Sequence, residues 1–512
     1  MSVFLGAFNK SIADELQFKL TQRTAPRRLS EQQNDIVTAA LDPKGGSINI
    51  IARAGCGKST TLLELARKVD TRAYAATFHS IGLRIWRESG HRSEIDGMKT
   101  KSLARAVFPY DKKLASLLGA AVSFAKQAAF GVKGAPGGTE ADWAGLIDYY
   151  QLDDEIPAGI SAERFITECE KVYRKSLAMC TDENSIIDFD DMLLAPMYFH
   201  GNKPPAVQYD WVFTDEAQDT NPIRRMLAKW ILRPGGRMIS CGDPRQAIYH
   251  FCGASSNAMD LIKEEMSAVE LPLNVTYRCP KAIVAMAQTW VPDFTAHESA
   301  PEGVIRTIDH SDFWLETLSV DDVILCRNTR PLVGIAMRLR QAGISCVVEG
   351  QSGQALIALI TKWGDITIES FLLRMREWQD QQESKWLAKE RPDKLEAVND
   401  RCGTVRQLTE GMNIESDTTK RLVARVELLF GDDNRDNVLR LCTIHRAKGR
   451  EWERVYLIGR TTYQPSPYAS TDEELRQEEN LMYVAITRVK HELVEVTVPR
   501  KGRKDDPEWW EV

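Results

Sequence analysis

The chain has 512 residues, of which 43% are hydrophobic and 27% charged, and its formal net charge at pH 7 is −6. This length is too great for a single hydrophobic core and predicts several domains. The composition is typical of a globular protein, and the acidic balance excludes a uniformly basic coat for nucleic acid while still permitting a narrow basic groove.

Hydrophobic runs and cysteines indicate where the protein resides. No apolar run approaches the roughly 20 residues of a membrane span, and residues 1–10 lack the apolar stretch of a signal peptide. The ten cysteines form no CxxC pairs and have no nearby histidines, which favours buried reduced thiols over disulfides or zinc. We therefore expect a cytoplasmic protein in a reducing environment, without membrane contact.

The first elements predicted along the chain alternate strands and helices. Ser30 is well placed to cap the helix predicted at Leu29 to Leu41. Three strands are predicted, at Val3 to Phe8, Ile48 to Ile51 and Ala73 to Phe78, and three helices, at Ser11 to Leu20, Leu29 to Leu41 and Thr60 to Lys68.

Later elements indicate two sheets. Residues 90–181 and Ile366 to Leu429 are predicted to be mainly helical insertions. Because short apolar strands separated by helices lie on both sides of about residue 275, the pattern predicts α/β architecture with two parallel sheets. These strands are Asp210 to Thr214, Arg237 to Cys241, Val323 to Cys326, Ser345 to Val348 and Val455 to Ile458. The charged tail from Lys501 contains Trp509 and Trp510, to which we assign no role.

A phosphate loop is predicted between the strand at Ile48 and the helix that follows. The sequence there is Ala52-Arg-Ala-Gly-Cys-Gly-Lys-Ser-Thr60, in which Ala52 replaces the usual opening glycine. Strand, glycine-containing turn and helix are the context in which backbone N–H groups cradle phosphates. Lys58 would then reach the β- and γ-phosphates, and the Ser59 hydroxyl would help to hold Mg²⁺.

A second strand ends in two adjacent carboxylates. In Trp211-Val-Phe-Thr-Asp-Glu-Ala-Gln-Asp219, Asp215 would hold Mg²⁺ and Glu216 would activate the attacking water. The alternative is an exposed acidic turn without catalytic function, and the upstream phosphate loop favours the catalytic interpretation.

The chain resembles the UvrD-like superfamily 1A helicases, and its catalytic core is most similar to the F-box DNA helicase subgroup. The resembling motifs occur in the family's order, and those beyond the phosphate loop and the acidic pair are as follows: Leu29-Ser-Glu-Gln-Gln33, Thr77-Phe-His-Ser80, Asp188-Phe-Asp-Asp191, Cys241-Gly-Asp-Pro-Arg-Gln-Ala-Ile-Tyr249, Asn274-Val-Thr-Tyr-Arg278, Thr443-Ile-His-Arg-Ala-Lys-Gly-Arg-Glu-Trp452 and Tyr483-Val-Ala-Ile-Thr-Arg488.

The resemblance implies an ATP site built from both α/β domains. Gln33 would read adenine, Tyr277 would stack on it, and Gln246 would sense the γ-phosphate. Arg278 and Arg488 would act as arginine fingers, since guanidinium stabilises the charge on a transferring phosphoryl group. Residues implied to bind nucleotide are Gln33, Ala54, Gly55, Cys56, Gly57, Lys58, Ser59, Thr60, Tyr277, Arg278, Glu451 and Arg488; the catalytic residues are Lys58, Asp215, Glu216, Gln246, Arg278 and Arg488.

The resemblance also implies a path for single-stranded DNA. Bases would stack on aromatic side chains without regard to sequence, although core packing is the default role for each aromatic alone. Phe251 stands where the family often has a stacking Trp. The implied contacts are Phe8, Asn9, Lys10, Thr77, Phe78, His79, Tyr249, Phe251, Thr443 and His445.

The N-terminus holds an unusual feature. Leu5-Gly-Ala-Phe-Asn-Lys-Ser-Ile-Ala-Asp-Glu-Leu16 resembles motif Ia and its helix, which normally lie between the phosphate-loop helix and the Thr-Phe-His-Ser strand. Here that interval, Asp70 to Ala76, is too short for both. We therefore predict that motif Ia has moved to the N-terminus and fills its usual position in the sheet. The alternative is an unrelated strand and helix.

Together these features predict two RecA-like P-loop domains, each with a mainly helical insertion. The first domain would comprise 1–89 and 181–272 with an insertion at 90–180, and the second 273–361 and 436–500 with a short insertion at 362–435, followed by a tail at 501–512. The expected function is an ATP- and Mg²⁺-dependent DNA helicase that moves 3′ to 5′ on single-stranded DNA as hydrolysis closes the two domains.

The expected partners are single-stranded DNA and its junctions with duplex, with the chain acting as a monomer. Two alternatives differ in class. One is a translocase that strips proteins from DNA with little strand separation, and the other is an inactive binding module, which the intact ATP-site residues disfavour. The biological pathway and any protein partner stay open.

Overall fold

The computed structural model describes residues 2–7, 10–21, 29–69, 73–135, 139–150, 152–157, 159–248, 257–350, 352–389, 391–431, 437–467, 469 and 471–499. The chain divides into two compact units, Met1–Asn274 and Val275–Val512. Four predicted DNA contacts, Phe8, Asn9, Tyr249 and Phe251, lie outside the described residues, as do Trp509 and Trp510.

The first unit alternates strands and helices around a long helical segment. Its elements are β1 (Val3–Ala7), α1 (Lys10–Thr21), α2 (Glu31–Leu41), β2 (Ile48–Ala52), α3 (Lys58–Val69), β3 (Tyr74–Thr77), α4 (Phe78–Glu88), β4 (Glu94–Ile95), α5 (Lys99–Val107), α6 (Lys112–Gln127), α7 (Glu140–Tyr149), α8 (Ala162–Ala178), β5 (Ile186–Ile187), α9 (Phe189–His200), β6 (Tyr209–Thr214), α10 (Pro222–Trp230), β7 (Leu232–Gly242), α11 (Ala258–Met266) and β8 (Val269–Leu273).

The main sheet of this unit is parallel and has the strand order β3-β1-β6-β7-β2-β8. The N-terminal strand β1 is therefore internal, with Leu5 paired to Ala75 on one side and to Phe213 on the other. All five of its residues are buried, as an apolar strand between two neighbours requires.

Helix α1 packs beside the edge strand that β1 joins. The Gln17 side-chain oxygen accepts a hydrogen bond from the Ala75 backbone N–H at 2.8 Å. The Arg67 guanidinium of α3 donates to the Lys19 backbone carbonyl at 2.6 Å. Together, β1 and α1 are structural members of the first unit.

Buried charges anchor the helices α5 and α6 to the start of α9. The ammonium groups of Lys99 and Lys126 each lie 2.7–2.8 Å from Asp191, and Lys126 is also 2.7 Å from Asp188. Asp188 and Asp191 form a reciprocal capping box at the start of α9. Because a buried charge is costly unless paired, these contacts fix α5 and α6 against α9.

The second unit follows the same plan. Its elements are β9 (Val275–Thr276), α12 (Lys281–Ala287), β10 (Thr295–Ala296), β11 (Val304–Asp309), α13 (His310–Phe313), β12 (Asp322–Cys326), α14 (Thr329–Gln341), β13 (Cys346–Glu349), α15 (Ser352–Ile360), α16 (Ile368–Ala388), α17 (Pro392–Thr409), α18 (Thr419–Leu429), β14 (Leu439–Thr443), α19 (Ile444–Ala447), β15 (Trp452–Ile458), α20 (Arg460–Tyr463), α21 (Asp472–Ile486) and β16 (Val489–Thr497).

The main sheet of the second unit is also parallel, with the order β11-β16-β15-β12-β14-β13. Helix α17 attaches to the start of α14 through Asp400, whose carboxylate accepts from the backbone N–H groups of Thr329 and Arg330 at 3.1 Å each. These bonds satisfy two backbone N–H groups at the start of α14 that have no acceptor within the helix. The predicted α/β fold class with parallel sheets is confirmed.

Eight of the described strands were not predicted from the sequence, and three of them, β8, β11 and β16, show why. Strand β8 lies at a sheet edge and is mostly exposed, and β11 is an edge strand with alternating exposure. In β16 the apolar residues alternate with charges, and Glu492 pairs with Arg306 and Arg454 of neighbouring strands. None of the three has the continuous apolar run that marks a fully buried parallel strand.

Within the described part of the chain, no helix combines the length and apolar character needed to cross a membrane.

Candidate functional site

The predicted phosphate loop lies between β2 and α3. Gly55 and Gly57 have φ angles of +68° and +83°, which side-chain-bearing residues rarely adopt. A Cβ on Gly57 would also lie 2.9 Å from the Gln33 amide nitrogen. Ala52, which replaces the family's first glycine, is the last residue of β2 and has no positive φ, so the substitution imposes no strain.

The loop meets the carboxylates at the end of β6. The Lys58 ammonium lies 2.9 Å from the Glu216 carboxylate, and the Ser59 hydroxyl donates to Asp215 at 2.8 Å. Glu216 has a left-handed backbone with φ +49°, a costly conformation for glutamate. The turn therefore holds Asp215 and Glu216 toward the loop.

Burial and neighbouring charges shift the pKa values of this group. Burial alone would lower the pKa of Lys58, but the carboxylates of Glu216 and Asp215 raise it above its usual range. Burial, followed by repulsion from Glu216, raises the pKa of Asp215 to about 6, against the opposing effects of Lys58 and Ser59. Lys58 is thus a permanent cation.

The donor set fits a divalent cation bound together with phosphate. A carboxylate oxygen and a hydroxyl oxygen are ligands that Mg²⁺ accepts, and it normally completes its shell with water and substrate phosphates. Among the described residues, no group of three or more His, Cys, Asp or Glu side chains could hold a metal by itself. Ser59 and Asp215 therefore fit a metal delivered with a nucleotide.

A chain of amides links the acidic pair to the segment after β7. The Gln218 side chain donates to Glu216 at 2.6 Å and accepts from the Asp243 backbone N–H at 3.0 Å. Gln246 donates to Asp243 at 2.7 Å, and Arg53 of the phosphate loop donates to the same carboxylate at 3.3 Å. Gln218, Asp243 and Arg53 were not predicted as site residues. All three lie inside quoted motifs, which was the available signal.

The predicted adenine reader, Gln33, lies against the loop. It forms a capping box with Ser30 at the start of α2, as the predicted N-cap required. Its amide nitrogen donates to the Thr61 hydroxyl at 3.0 Å. Its neighbour Gln32 exchanges two hydrogen bonds, of 2.6 and 3.1 Å, with Asn274, the last residue of the first unit.

The second unit brings three predicted nucleotide contacts together. Arg278 donates to the Glu451 carboxylate at 2.8 Å and to the Thr487 carbonyl at 3.3 Å. Arg488 is only 2% exposed, and its guanidinium donates to the carbonyls of Val484 at 2.9 Å and Arg450 at 3.2 Å. Both predicted arginine fingers therefore lie around Thr487.

The predicted adenine-stacking residue is at the surface of the second unit. Pairing of β9 with β10 places Tyr277 beside His297, and the two rings stack with centroids 4.3 Å apart. The Tyr277 side chain is 44% exposed. One face of its ring is supported within the second unit.

The structure separates the predicted DNA contacts into buried and accessible groups. Lys10 is exposed at the start of α1, and Thr77 caps α4 by accepting from Ser80 N–H at 3.1 Å. Phe78 is 2% exposed and packs edge-on against Phe4. That placement argues against base stacking by Phe78 and favours the core role.

The two predicted histidine contacts are uncharged. Burial lowers the pKa of His79 to about 4, with Arg224 adding to the effect. Burial likewise lowers the pKa of His445 to about 4, with a contribution from Arg327. At pH 7 neither ring attracts phosphate as a cation. Thr443, which precedes His445, is the half-buried residue at the start of α19.

Comparison with known families matches more than half of this chain to a described domain. Residues 161–498 match the UvrD-like helicase C-terminal domain. The match covers both carboxylates at the end of β6, the segment after β7, and the Arg278, Glu451 and Arg488 group.

Comparison with curated proteins gives distant relatives. A probable DNA helicase II homolog of Mycoplasma capricolum is 22% identical, covering 63% of this chain and 60% of the relative. The ATP-dependent DNA helicase UvrD2 of Mycobacterium tuberculosis is 24% identical, covering 60% and 51%. The F-box DNA helicase protein 1 of Schizosaccharomyces pombe is 23% identical, covering 91% and 57%. The chain thus spans between half and three fifths of the length of these relatives.

Proposed function

Because the chain belongs to the UvrD-like helicase family, we propose that it is an ATP-dependent DNA helicase that translocates 3′ to 5′ on single-stranded DNA. The observation that carries this proposal is the contact of Lys58 with Glu216 and of Ser59 with Asp215 at the glycine loop. A cation, a hydroxyl, a metal-binding carboxylate and a second carboxylate are the groups that nucleotide hydrolysis requires.

The ion pair between Lys58 and Glu216 suggests how ATP starts the reaction. A γ-phosphate entering the loop would compete with Glu216 for the Lys58 ammonium. Glu216 would then be released to accept a proton from the attacking water, while Gln218 keeps its carboxylate oriented. Ser59 and Asp215 would hold Mg²⁺, which supplies charge neutralisation on the phosphates. Gln246 would sense the γ-phosphate from the same network.

Residues of the second unit complete the proposed chemistry. Tyr277 would stack on adenine and Glu451 would contact the nucleotide. Arg278 and Arg488 would stabilise the developing charge, an effect worth about 10³–10⁵ in rate in related systems. Their present bonds to Glu451 and to backbone carbonyls would have to exchange for phosphate contacts, which would couple hydrolysis to closure of the two units.

We propose that β1 and α1 are motif Ia in a new chain position. Two observations support this: β1 lies between β3 and β6, and the Asp215 backbone N–H donates to the Gly6 carbonyl at 3.0 Å. Lys10, which follows β1, would then contact DNA, and Thr77, His79, Thr443 and His445 would contribute neutral or hydroxyl contacts.

The working form is proposed to be an intracellular monomer that acts on single-stranded DNA and its junctions. The described cysteines support a reducing location, because each is a buried thiol. A protein partner and the cellular pathway are left open.

The proposal is tested by measuring ATP hydrolysis with and without single-stranded DNA. Wild-type protein should show DNA-stimulated hydrolysis, and Lys58→Ala should reduce it by at least about 10²-fold, since a preorganised charge on the phosphates is removed. Lys68→Ala, at the exposed end of the same helix, is the matched control and should behave as wild type. Hydrolysis that persists in Lys58→Ala contradicts the proposal.

A further inference from the structure

The phosphate loop contains two cations, and each is paired with a carboxylate that follows a different strand. Lys58, near the end of the loop, lies 2.9 Å from Glu216, which follows β6. Arg53, near the start of the loop, donates at 3.3 Å to Asp243, which directly follows β7. In the proposed hydrolysis Lys58 and Glu216 have roles, whereas Arg53 has none.

The backbone of Arg53 is held by the sheet. Its N–H group donates to the Leu273 carbonyl at 2.9 Å, which continues the pairing of β2 with β8 past the last residue of β2. Its carbonyl accepts from the Cys56 N–H at 3.4 Å, so Arg53 also closes the first turn of the loop. The side chain is only 12% exposed. Arg53 is therefore an ordered part of the loop and not a solvated surface cation.

Asp243 connects Arg53 to the proposed γ-phosphate sensor. Its buried carboxylate accepts from the Arg53 guanidinium, from the Arg245 backbone N–H at 3.1 Å and from the Gln246 side-chain amide at 2.7 Å. A buried carboxylate is costly unless it is hydrogen-bonded and paired with a cation. The Arg53 charge therefore offsets the cost of burying the carboxylate that holds Gln246.

The two pairs of cation and carboxylate are connected. Gln218 accepts from the Asp243 backbone N–H at 3.0 Å and donates to the Glu216 carboxylate at 2.6 Å. Burial lowers the pKa of Lys58, whereas Glu216 and Asp215 raise it above its usual range, and the charge of Asp243 adds to that rise. A continuous path of contacts therefore leads from one end of the loop to the other.

We propose that Arg53 is a positioning residue, which orients Gln246 through Asp243 and does not itself bind the phosphates of ATP. The inference rests on the proposed function and adds a residue to the same site. Because Arg53 belongs to the loop that would enclose the phosphates, its ion pair links that loop to the position of Gln246. Loss of the Arg53 charge then slows the chemical step and leaves nucleotide binding nearly unchanged.

The first test measures ATP hydrolysis with saturating single-stranded DNA and, separately, the affinity for ADP. Arg53→Met removes the charge but keeps a long side chain, and it should lower kcat by about 10- to 100-fold, because the reacting groups are misplaced. KM for ATP and Kd for ADP should stay within about 2-fold of the wild-type values. Arg53→Lys keeps the charge and should recover most of the lost kcat.

A matched control and a double variant show whether the effect runs through Asp243. Arg233→Met is the control, because Arg233 pairs with Asp210 at 3.0 Å at the opposite end of β6, and it should hydrolyse ATP as wild type does. In a double-mutant cycle, Arg53→Met combined with Asp243→Asn should be no slower than Asp243→Asn alone. Thermal melting shows which variants are folded, and Arg53→Gln takes the place of Arg53→Met if that protein unfolds.

Several outcomes would overturn the proposal. Unchanged kcat in Arg53→Met, or independent losses that multiply in the double variant, would show that Arg53 does not act through Asp243. A loss of ADP affinity in Arg53→Met would mean that Arg53 binds the phosphates directly. An Arg53→Lys protein as slow as Arg53→Met would exclude the role of the charge.

A crystal structure of Arg53→Met separates this inference from the proposed function. The Gln246 amide should have left hydrogen-bond distance of the Asp243 carboxylate, and an unchanged contact would overturn the positioning role. A wild-type protein without ATP hydrolysis contradicts the proposed function alone. Displacement of Gln246 in the variant would still support the role of Arg53 in that case.

Discussion

The Glu216 carboxylate that pairs with Lys58 also accepts a hydrogen bond from a glutamine, Gln218. Gln218 bonds to the Glu216 carboxylate through its nitrogen and to the segment after β7 through its oxygen. A side chain with one donor and one acceptor end can serve both partners at once. Gln218 is therefore placed to orient Glu216, the proposed general base.

Gln218→Ala should lower kcat by about 100-fold, the cost of misplacing a reacting group by about 1 Å, while KM for ATP changes little. Steady-state hydrolysis with saturating single-stranded DNA measures both constants. Gln341→Ala, at the exposed end of α14, is the control and should match wild type. A rise in KM at unchanged kcat would show that Gln218 serves binding instead.

Asp190 gives the first unit a pH-dependent stability. Burial, with repulsion from Asp188, raises the pKa of its carboxyl to about 6, although Ser123 donates to it at 2.5 Å. Because the folded-state pKa exceeds the unfolded value, the folded state holds the proton more tightly. The contribution to stability is present at low pH and is lost as pH rises from about 4 to about 6.

Thermal melting of Asp190→Asn between pH 4 and 8 should reflect this loss. The melting temperature of the variant relative to wild type should increase as pH rises through about 6, since the asparagine cannot ionise. Asp148→Asn, on an exposed turn of α7, should follow the wild-type profile. Parallel curves for Asp190→Asn and wild type would contradict the assigned titration.

At the scale of elements, α4 and α9 approach unusually closely. A Cβ on Gly82 of α4 would lie 2.1 Å from the Met192 backbone carbonyl oxygen of α9. Backbone cannot yield as a flexible side chain does, so any larger residue must separate the two helices. The segment Thr77 to Ser80, predicted to contact DNA, begins α4 and depends on this packing.

Gly82→Ala should destabilise the protein by about 1–3 kcal/mol, the usual cost of overpacking. Gly145→Ala, in α7, is the matched control, because nothing lies within 4 Å of its added Cβ. It should be neutral or stabilising by about 0.5–1 kcal/mol. Denaturant unfolding compares the two, and equal effects would mean that the close approach is not constraining.

The elements that the sequence could predict are those whose signals are local. Ile48 to Ile51 is a buried apolar run followed by glycines that must adopt positive φ, so β2, its loop and α3 were predictable. Ser30 was recognised as a cap for the same reason. Strand β16 was missed because charged residues interrupt its apolar pattern. One of them, Glu492, pairs with arginines of strands that neighbour β16 in the sheet but lie elsewhere in the sequence.

The residues of the candidate site were predictable to about the same extent as the strands and helices. Motif order located Lys58, Asp215 and Glu216, and the structure brings them together. Long-range contacts could not be foreseen: Phe78 is buried against Phe4 of the N-terminal strand, and Gln218 reaches Asp243 from another loop. Predicted roles of Phe8, Asn9, Tyr249 and Phe251 stay predictions.

At the scale of the whole molecule, the N-terminal strand determines the order of the first sheet. β1 runs parallel to β3 and β6. Its first residue therefore lies at the same end of the strands as the start of β3, which follows α3 in the chain. A chain passing from α3 to β1, through α1 and into β3 would follow the usual parallel crossovers. The same sheet could therefore be built from another chain order.

Moving residues 2–21 into the segment between Val69 and Ala73, with flexible linkers, should preserve folding and ATP hydrolysis. Deleting residues 2–21 without reinsertion should abolish both, because β6 and β3 lose the strand between them. Circular dichroism and hydrolysis assays measure the two properties. A deletion that folds and hydrolyses ATP would contradict the structural role of β1.

Strand displacement tests the central claim, which is ATP-driven movement on single-stranded DNA in one direction. Duplexes with a 3′ or a 5′ single-stranded tail are compared with wild-type protein and Lys58→Ala. The predicted result is ATP-dependent displacement from the 3′-tailed duplex, lost in Lys58→Ala. Displacement from the 5′-tailed duplex alone, or no ATP-dependent displacement from either, would contradict the account.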